Sequence, residues 1–189
     1  MAQRLQHLRE AGLQIALDDF GSGPASLTQL QQCGIDYLKR VIIDDKLGLN
    51  AHLEAELARY QRYGHEFCVV MLDIDYFKQI NDNFGHNIGD LTLKNVAAVI
   101  YEHIRSSDYV FRYGGEEFMI LLVESDESQA SIILETLRMK IAEMRMAASA
   151  TETFSITVSI GIAEYDYHPD YKQLVDKADR ALYLAKSNG

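Results

Sequence analysis

Two adjacent acidic residues at the tip of a predicted β-hairpin are the strongest chemical signal in this 189-residue chain. The tip reads Gly114-Gly115-Glu116-Glu117 and lies between two apolar, β-prone runs. Glycine lets the backbone turn sharply and lets a bulky ligand approach where a Cβ would block it. Two carboxylates on a rigid tip repel each other unless a cation lies between them. The hairpin therefore predicts a metal-dependent phosphate site.

A further acidic residue, Asp73, directly follows the apolar run Phe67–Leu72, which predicts a buried strand. The carboxyl end of a strand is a common place for ligand groups. We expect Asp73 and Glu116, with Glu117 nearby, to surround one or two Mg²⁺ ions, or Mn²⁺, that clamp a triphosphate and polarise the phosphorus under attack. Asp75 is expected to point to the opposite face, outside this pocket. Taken alone, Asp73 fits a solvated turn residue equally well.

The polar segment that follows, residues 77–90, is predicted to be a loop with groups suited to a nucleotide. Asn81 and Asp90 could bind a purine edge, because an amide accepts and donates while a carboxylate accepts from ring N–H and exocyclic NH₂ groups. Guanine presents that pair of donors and adenine does not. Lys78 is suited to meet a phosphate. The alternative is an ordinary polar loop with a helix cap at Asp90.

The helices and strands predicted for this chain fall into two segments. Residues 1–41 read as helix, strand, helix and strand, a βαβ pattern that cannot alone cover both faces of its strands. From residue 42 helices and strands are mixed and include a hairpin. We therefore expect an α+β fold in which helices pack on a mainly antiparallel central sheet, with an N-terminal βαβ appendage. Periodicity predicts helices near 49–60, 88–104 and 171–186, a helix capped by Ser125 or Asp126, and one strand over 154–163.

Composition narrows the possible partners. The net charge of −10 and the pI of about 5.0 disfavour binding to a nucleic-acid backbone, although metal ions can still let an acidic protein bind a nucleotide. Cys33 and Cys68 are predicted to be buried thiols, as in a reducing compartment. Since no apolar run is long enough to span a bilayer, we expect a cytoplasmic protein without a membrane partner.

Several sequence blocks, in order, resemble the GGDEF family of diguanylate cyclases. Tyr113–Phe118 matches the GGEEF variant of the block that names the family, and Leu72–Lys78, Thr157–Ala163 and Ala178–Lys186 match other blocks. The resemblance runs from about residue 45 to Gly189. It implies a fold like the palm of nucleotidyl cyclases and the Mg-dependent condensation of two GTP into cyclic di-GMP, by attack of a 3′-hydroxyl on the α-phosphate. Because two GTP-loaded sites must face each other, it also implies a homodimer.

The same resemblance implies a role for each matching residue. The metal ligands would be Asp73, the Ile74 carbonyl, Glu116 and Glu117. The GTP-binding residues would be Phe77, Lys78, Asn81, Asp90, Gly114, Gly115 and Lys186. Glu116 or Glu117 would help to deprotonate the attacking 3′-hydroxyl beside Asp73, and the sequence does not choose between the two.

Arg105 and Asp108, just before the hairpin, resemble the RxxD site at which the family's product docks and inhibits. An arginine can hold a phosphate or guanine through two hydrogen bonds, and an aspartate can accept from guanine N–H groups. The alternative is a helix end with a favourable C-terminal arginine.

The ends of the chain depart from the family pattern. Within residues 1–41, Ile15–Gly23 and Asp36–Lys39 resemble one βαβ stretch of the EAL family of cyclic di-GMP phosphodiesterases, but the Glu-Ala-Leu motif and most of the barrel are absent. Residues 42–189 are expected to be a GGDEF domain truncated at its C-terminus. The alternatives to a cyclase are a catalytically weak cyclic di-GMP sensor and an engineered fusion in which the EAL-like fragment mediates assembly.

Overall fold

The computed structural model describes residues 46–149 and 151–188, which belong to a compact unit spanning residues 42–189. The predicted βαβ unit at residues 1–41 lies outside the described residues. The helices are α1 (Lys46–Tyr63), α2 (Phe77–Phe84), α3 (His86–His103), α4 (Glu127–Glu143) and α5 (Tyr171–Asn188). The strands are β1 (Phe67–Ile74), β2 (Tyr109–Arg112), β3 (Glu117–Val123), β4 (Met146–Ala147), β5 (Thr153–Phe154) and β6 (Val158–Glu164).

The central sheet has the strand order β2-β3-β1-β6, and every neighbouring pair is antiparallel. All eight residues of β1 are buried, and they alternate between two apolar layers. Val70 and Leu72 face the layer built by α2, α3 and α4. Val69 and Met71 face the layer built by α1 and α5. This confirms the predicted α+β fold with helices on an antiparallel sheet.

The predicted hairpin is present, with β2 and β3 paired so that Arg112 lies opposite Phe118. Glu116 belongs to the connecting loop, and Glu117 is the first residue of β3. The loop is closed by the amides of Tyr113 and Gly114, which donate to the Glu117 carbonyl at 2.8 and 3.3 Å.

The loop expected over residues 77–90 is instead two helices, so that part of the prediction was wrong. In α2, Phe77 and Ile80 are buried on one face and Phe84 packs beside them. Their spacing of three and four residues is that of an amphipathic helix, which stabilises even this short segment. Gly85 separates α2 from α3 with a φ of 85°, a left-handed value that glycine adopts without strain.

The single strand expected over residues 154–163 is broken. Phe154 pairs with β4, whereas β6 begins at Val158 and pairs with β1. The alternation of buried positions continues through Ile156, so the sequence carries no signal for the break.

Of the two residues predicted to cap α4, Ser125 and Asp126, the N-cap is Asp126, whose side chain accepts from the Gln129 amide at 2.7 Å. Within the described helices, none is long and apolar enough to cross a membrane.

Candidate active site

A cleft of about 740 Å³ opens at the carboxyl end of β1. Its walls come from the turn into α2, the hairpin loop, β6, α4 and the end of α5. The lining residues are Asp73, Ile74, Asp75, Tyr76, Phe77, Lys78, Glu116, Ser131, Leu134, Glu135, Arg138, Thr157, Val158, Ser159, Ile160, Ile162, Ala185 and Lys186. Six of the predicted site residues therefore line one cleft: Asp73, Ile74, Phe77, Lys78, Glu116 and Lys186.

Asp73 is only 4% exposed, and its carboxylate is paired with Lys186, whose Nζ lies 2.7 Å from Asp73 Oδ2. A buried carboxylate needs such a countercharge because it has lost most of its hydration. The close packing of α5 on β6 brings Lys186 to this position. Gly161 permits that packing, since a Cβ there would lie 2.1 Å from the Leu182 amide nitrogen.

Glu116 reaches the same place from the hairpin loop. Its carbonyl accepts from the Ile74 amide at 3.4 Å, which ties the loop to the end of β1. Burial raises the pKa of Glu116 above its ordinary value, and the negative charges of Asp73 and Glu117 raise it further, while Lys186 opposes them. The acidic cluster inferred from the sequence is therefore an electrostatically coupled group.

Glu117 lies directly opposite Asp73 in the β1–β3 register, so the two side chains share one face of the sheet. Its carboxylate occupies the space beside Gly114, where a Cβ would lie 2.3 Å from Glu117 Oε2. Neither Gly114 nor Gly115 has a positive φ, so the turn does not depend on a left-handed glycine there. A Cβ on Gly115 would meet no atom within 4 Å, and the backbone at Gly115 is thus open to an approaching group.

The donor set fits a divalent cation that is shared with a substrate. Among the described residues, no group of three or more His, Cys, Asp and Glu side chains is arranged to hold a metal ion. Mg²⁺, however, is usually bound through one or two carboxylates, with water and substrate phosphates as its other ligands. The coupled carboxylates of Asp73 and Glu116 supply that number of hard oxygen donors.

The residues predicted to bind guanine lie at the contact between α2 and α3. Asn81 packs against Gly89, where a Cβ would lie 2.0 Å from Asn81 Oδ1 and 3.3 Å from the Phe77 ring. Asp90 is exposed on the next residue of α3. Neither Asn81 nor Asp90 lines the 740 Å³ cleft, while Phe77 borders both places. Gly89 was not singled out as a site residue, and a buried glycine inside a helix is the signal that would have found it.

Asp75 also lines the cleft, which corrects the expectation that it points away from Asp73. Residues two apart along a strand share a face, so this position follows from β-strand geometry. The side-chain hydroxyls of Thr157 and Ser159 donate to the two Asp75 carboxylate oxygens at 2.6 and 2.7 Å. Sequence reasoning missed this cluster, although the alternating Thr157-Val158-Ser159, which leads into β6, lies within a block that resembles the family.

The two residues of the RxxD pattern occupy different environments. Asp108 is 7% exposed, and its carboxylate accepts from the Arg105 amide at 2.8 Å and from the Val123 amide at 3.1 Å. The Arg105 residue is exposed. Asp108 therefore anchors the start of β2 to the end of β3, and its role in binding a product remains a prediction.

Comparisons with known proteins identify the family of this chain. The family model described as "Diguanylate cyclase, GGDEF domain" matches residues 42–189. The chain is 39% identical over 158 residues to diguanylate cyclase DosC of Escherichia coli K12, covering 84% of this chain and 34% of DosC. It thus spans about a third of that relative's length.

Two solved structures are similar in fold. The GGDEF domain of DgcB from Caulobacter crescentus in complex with c-di-GMP has a TM-score of 0.71 and 33% identity, and the match covers 75% of this chain and 84% of that one. The active GGEEF domain of a diguanylate cyclase from Vibrio cholerae has a TM-score of 0.68 and 32% identity, covering 71% of this chain and 85% of that one. The chain belongs to the GGDEF family of diguanylate cyclase domains.

Proposed function

We propose that this domain condenses two molecules of GTP into cyclic di-GMP. The observation that carries the proposal is the meeting of buried Asp73, Glu116 with its raised pKa, Lys78 and Lys186 in one cleft. Coupled carboxylates beside lysines suit a site for a triphosphate and a divalent cation. The relatives named as diguanylate cyclases support the same reaction.

The divalent cation on which GGDEF cyclases generally depend would be held by Asp73, the Ile74 carbonyl and Glu116, with Glu117 beside them. When bound, Mg²⁺ or Mn²⁺ neutralises phosphate charge and polarises the phosphorus under attack. Without a cation, Lys186 supplies the countercharge of Asp73. From the same position, its ammonium group would be close enough to contact a phosphate of the bound substrate. Lys78, exposed at the first turn of α2, offers a second ammonium group to the phosphates.

Guanine would be bound at the α2–α3 contact, where Asn81 and Asp90 supply the amide and carboxylate that match its donors, with Phe77 beside them. Gly115, where a Cβ would meet no atom within 4 Å, lets the substrate approach the hairpin backbone, and Gly114 leaves room for the Glu117 carboxylate. In the reaction the 3′-oxygen of each GTP bonds to the α-phosphorus of the other, and two molecules of pyrophosphate leave. In each copy we assign the proton released from the 3′-hydroxyl to Glu117, because Glu116 would help to hold the cation and Glu117 lies opposite Asp73.

A cleft that holds one GTP supplies only half of this reaction. Two copies of the domain must therefore present their nucleotides to each other, which makes a homodimer the active form. Because the reaction consumes GTP, we place it in the cytoplasm. Residues 1–41, outside the described residues, are proposed to be an EAL-like fragment, on the sequence blocks Ile15–Gly23 and Asp36–Lys39.

The test compares the wild type with Glu116→Gln, incubated with GTP and Mg²⁺ and followed by nucleotide analysis. We expect cyclic di-GMP and pyrophosphate from the wild type, and a loss on the order of 100-fold or more in the variant. The matched control is Glu124→Gln, a substitution of the same kind at an exposed residue paired with His65. Full activity in Glu116→Gln would overturn the proposal. A wild type that binds cyclic di-GMP but makes none would instead be a sensor.

A further inference from the structure

We propose that Asp75 is a positioning residue, which holds the turn between β1 and α2 so that Phe77 and Lys78 face the cleft. It acts through Thr157 and Ser159, and we call these three residues the Asp75 staple. The inference rests on the proposed function of the cleft, because it concerns how that cleft is kept in shape. Asp75 is not among the proposed metal, GTP or product ligands.

The Asp75 staple joins the end of β1 to the start of β6 by three hydrogen bonds. Thr157 Oγ1 donates to Asp75 Oδ2 at 2.6 Å, and Ser159 Oγ donates to Asp75 Oδ1 at 2.7 Å. The Asp75 amide donates to the Thr157 carbonyl at 3.0 Å. The last residue pair of the β1–β6 ladder is Ile74 with Val158, so the staple extends the ladder one residue beyond the sheet.

The turn needs such support because of the residue that follows. Tyr76 has a φ of 56°, the left-handed region that is unfavourable for a residue with a side chain, and it precedes α2 without any side-chain cap. The amides of Gln79 and Ile80 both donate to the Tyr76 carbonyl, at 2.8 and 3.3 Å. Tyr76, the strained residue, therefore accepts the hydrogen bonds that form the first turn of α2. The Asp75 staple holds the backbone immediately before Tyr76.

The residues on either side of Asp75 in the sequence belong to the cleft. Ile74, whose carbonyl is a proposed ligand, immediately precedes Asp75, and Phe77 and Lys78 follow it by two and three residues. All three line the cleft. If the hydrogen bonds of the staple break, Tyr76 can relax from the left-handed conformation. The Ile74 carbonyl, Phe77 and Lys78 then no longer line the cleft together. Since they contact substrate before the reaction as well as during it, we expect KM to rise more than kcat falls.

The competing role for Asp75 is that of a direct cation ligand, and a mutant cycle separates the two. The changes are Asp75→Ala, the pair Thr157→Val with Ser159→Ala, and all three together. If Asp75 acts by positioning, the hydroxyl pair lowers kcat/KM for GTP about as much as Asp75→Ala, roughly tenfold, and the triple variant is no worse. If Asp75→Ala is far more damaging than the hydroxyl pair and the effects add, Asp75 acts directly and the inference fails.

Asp75→Asn provides a rescue test, because an amide oxygen can still accept from one hydroxyl while the negative charge is gone. We expect it to recover most of the activity that Asp75→Ala loses, and an Asn variant as weak as the Ala variant would contradict the inference. Thr136→Val is the hydroxyl control, since Thr136 Oγ1 donates to the Ile132 carbonyl on the exposed face of α4. Ile141→Val is the stability control, a truncation in the buried face of α4 that should leave KM unchanged.

Amide hydrogen exchange on the nucleotide-free protein tests the staple without reference to activity. We expect the amides of Asp75, Gln79 and Ile80 to exchange about tenfold faster in Asp75→Ala, while the amide of Met71 in the centre of β1 keeps its rate. Unchanged exchange at all three positions would overturn the inference. A wild type that makes no cyclic di-GMP would instead count against the proposed function and leave this measurement intact.

Discussion

The ionisation of Glu116 links the stability of the fold to the chemistry of the cleft. Burial and the charge of Asp73 raise the pKa of this carboxyl above its ordinary value of 4.5. The folded protein therefore binds the Glu116 proton more tightly than the unfolded chain does. Ionisation penalises the folded state, and the penalty is absent below the ordinary pKa and complete above the raised one.

Replacing Glu116 by glutamine should therefore stabilise the protein where the wild-type carboxyl is ionised. In thermal unfolding without divalent cations, we expect Glu116→Gln to have the higher Tm near neutral pH, with the difference shrinking as the pH falls towards about 4.5. Glu54→Gln, at an exposed position of α1, should show no such pattern. A Glu116→Gln variant less stable than the wild type near neutral pH would contradict the assignment.

For single residues, the sequence predicted which side chains are chemically suited to the site better than it predicted where those side chains point. Asp73, Glu116 and Lys186 were predicted as site residues, and the structure brings them together because a sheet register and a packed helix converge on one cleft. The direction of Asp75 was predicted wrongly, since residues two apart along a strand share a face. The Lys186–Asp73 ion pair joins elements more than a hundred residues apart, which local sequence patterns do not encode.

Among the elements, the packing of α5 on β6 determines where Lys186 lies. A Cβ on Gly161 would be 2.2 Å from the Ala178 carbonyl oxygen and 2.1 Å from the Leu182 amide nitrogen, both in the backbone of α5. We expect Gly161→Ala to lower the free energy of unfolding by about 2–3 kcal/mol, because the helix backbone must move to make room. Displacement of α5 should also weaken GTP binding.

Chemical denaturation measures this effect, with Gly115→Ala as the stability control because its Cβ would meet no atom within 4 Å. A Gly161→Ala protein as stable as the wild type would show that α5 does not pack on β6 as closely as described.

Asp108 anchors the β2–β3 hairpin, whereas the Arg105 side chain does not. Variants of these two residues of the RxxD pattern should therefore have different effects. An amide in place of the carboxylate has one acceptor oxygen for two backbone donors, so we expect Asp108→Asn to cost about 1–2 kcal/mol of stability. Arg105 contributes its backbone amide to this anchor. Arg105→Ala should therefore leave the unfolding transition unchanged and weaken cyclic di-GMP binding about tenfold while sparing turnover.

Calorimetric titration with cyclic di-GMP and denaturant unfolding of both variants check this separation. Equal affinity for cyclic di-GMP in Arg105→Ala and the wild type would remove the inhibitory site, and the alternative of a favourable helix-end arginine would remain.

Most elements were predictable because their apolar spacing is long and regular. The buried run of β1, the hairpin and the periodic helices α1, α4 and α5 were found within a few residues of their bounds. Helix α2 was missed because eight residues with three apolar positions look like a polar loop until Phe77, Ile80 and Phe84 are placed on a helix. The break before β6 depends on pairing partners, which the chain's local alternation does not specify.

In the whole molecule, the proposed reaction requires two copies of the domain to act together. Because each copy has a net charge of −10, long-range electrostatics do not attract the copies to each other. Dimerisation must therefore be driven by contacts between the nucleotide-loaded clefts or between other surfaces. Because each cleft supplies one nucleotide, the rate should depend on the dimer rather than on the total protein.

The most direct test of this account is the initial rate of cyclic di-GMP formation as a function of protein concentration, at saturating GTP and Mg²⁺. We expect product from the wild type, with a logarithmic slope of about 2 at low concentration that falls towards about 1 once the dimer is complete. If GTP binds but no cyclic di-GMP forms at any concentration, the acidic cleft does not perform this reaction.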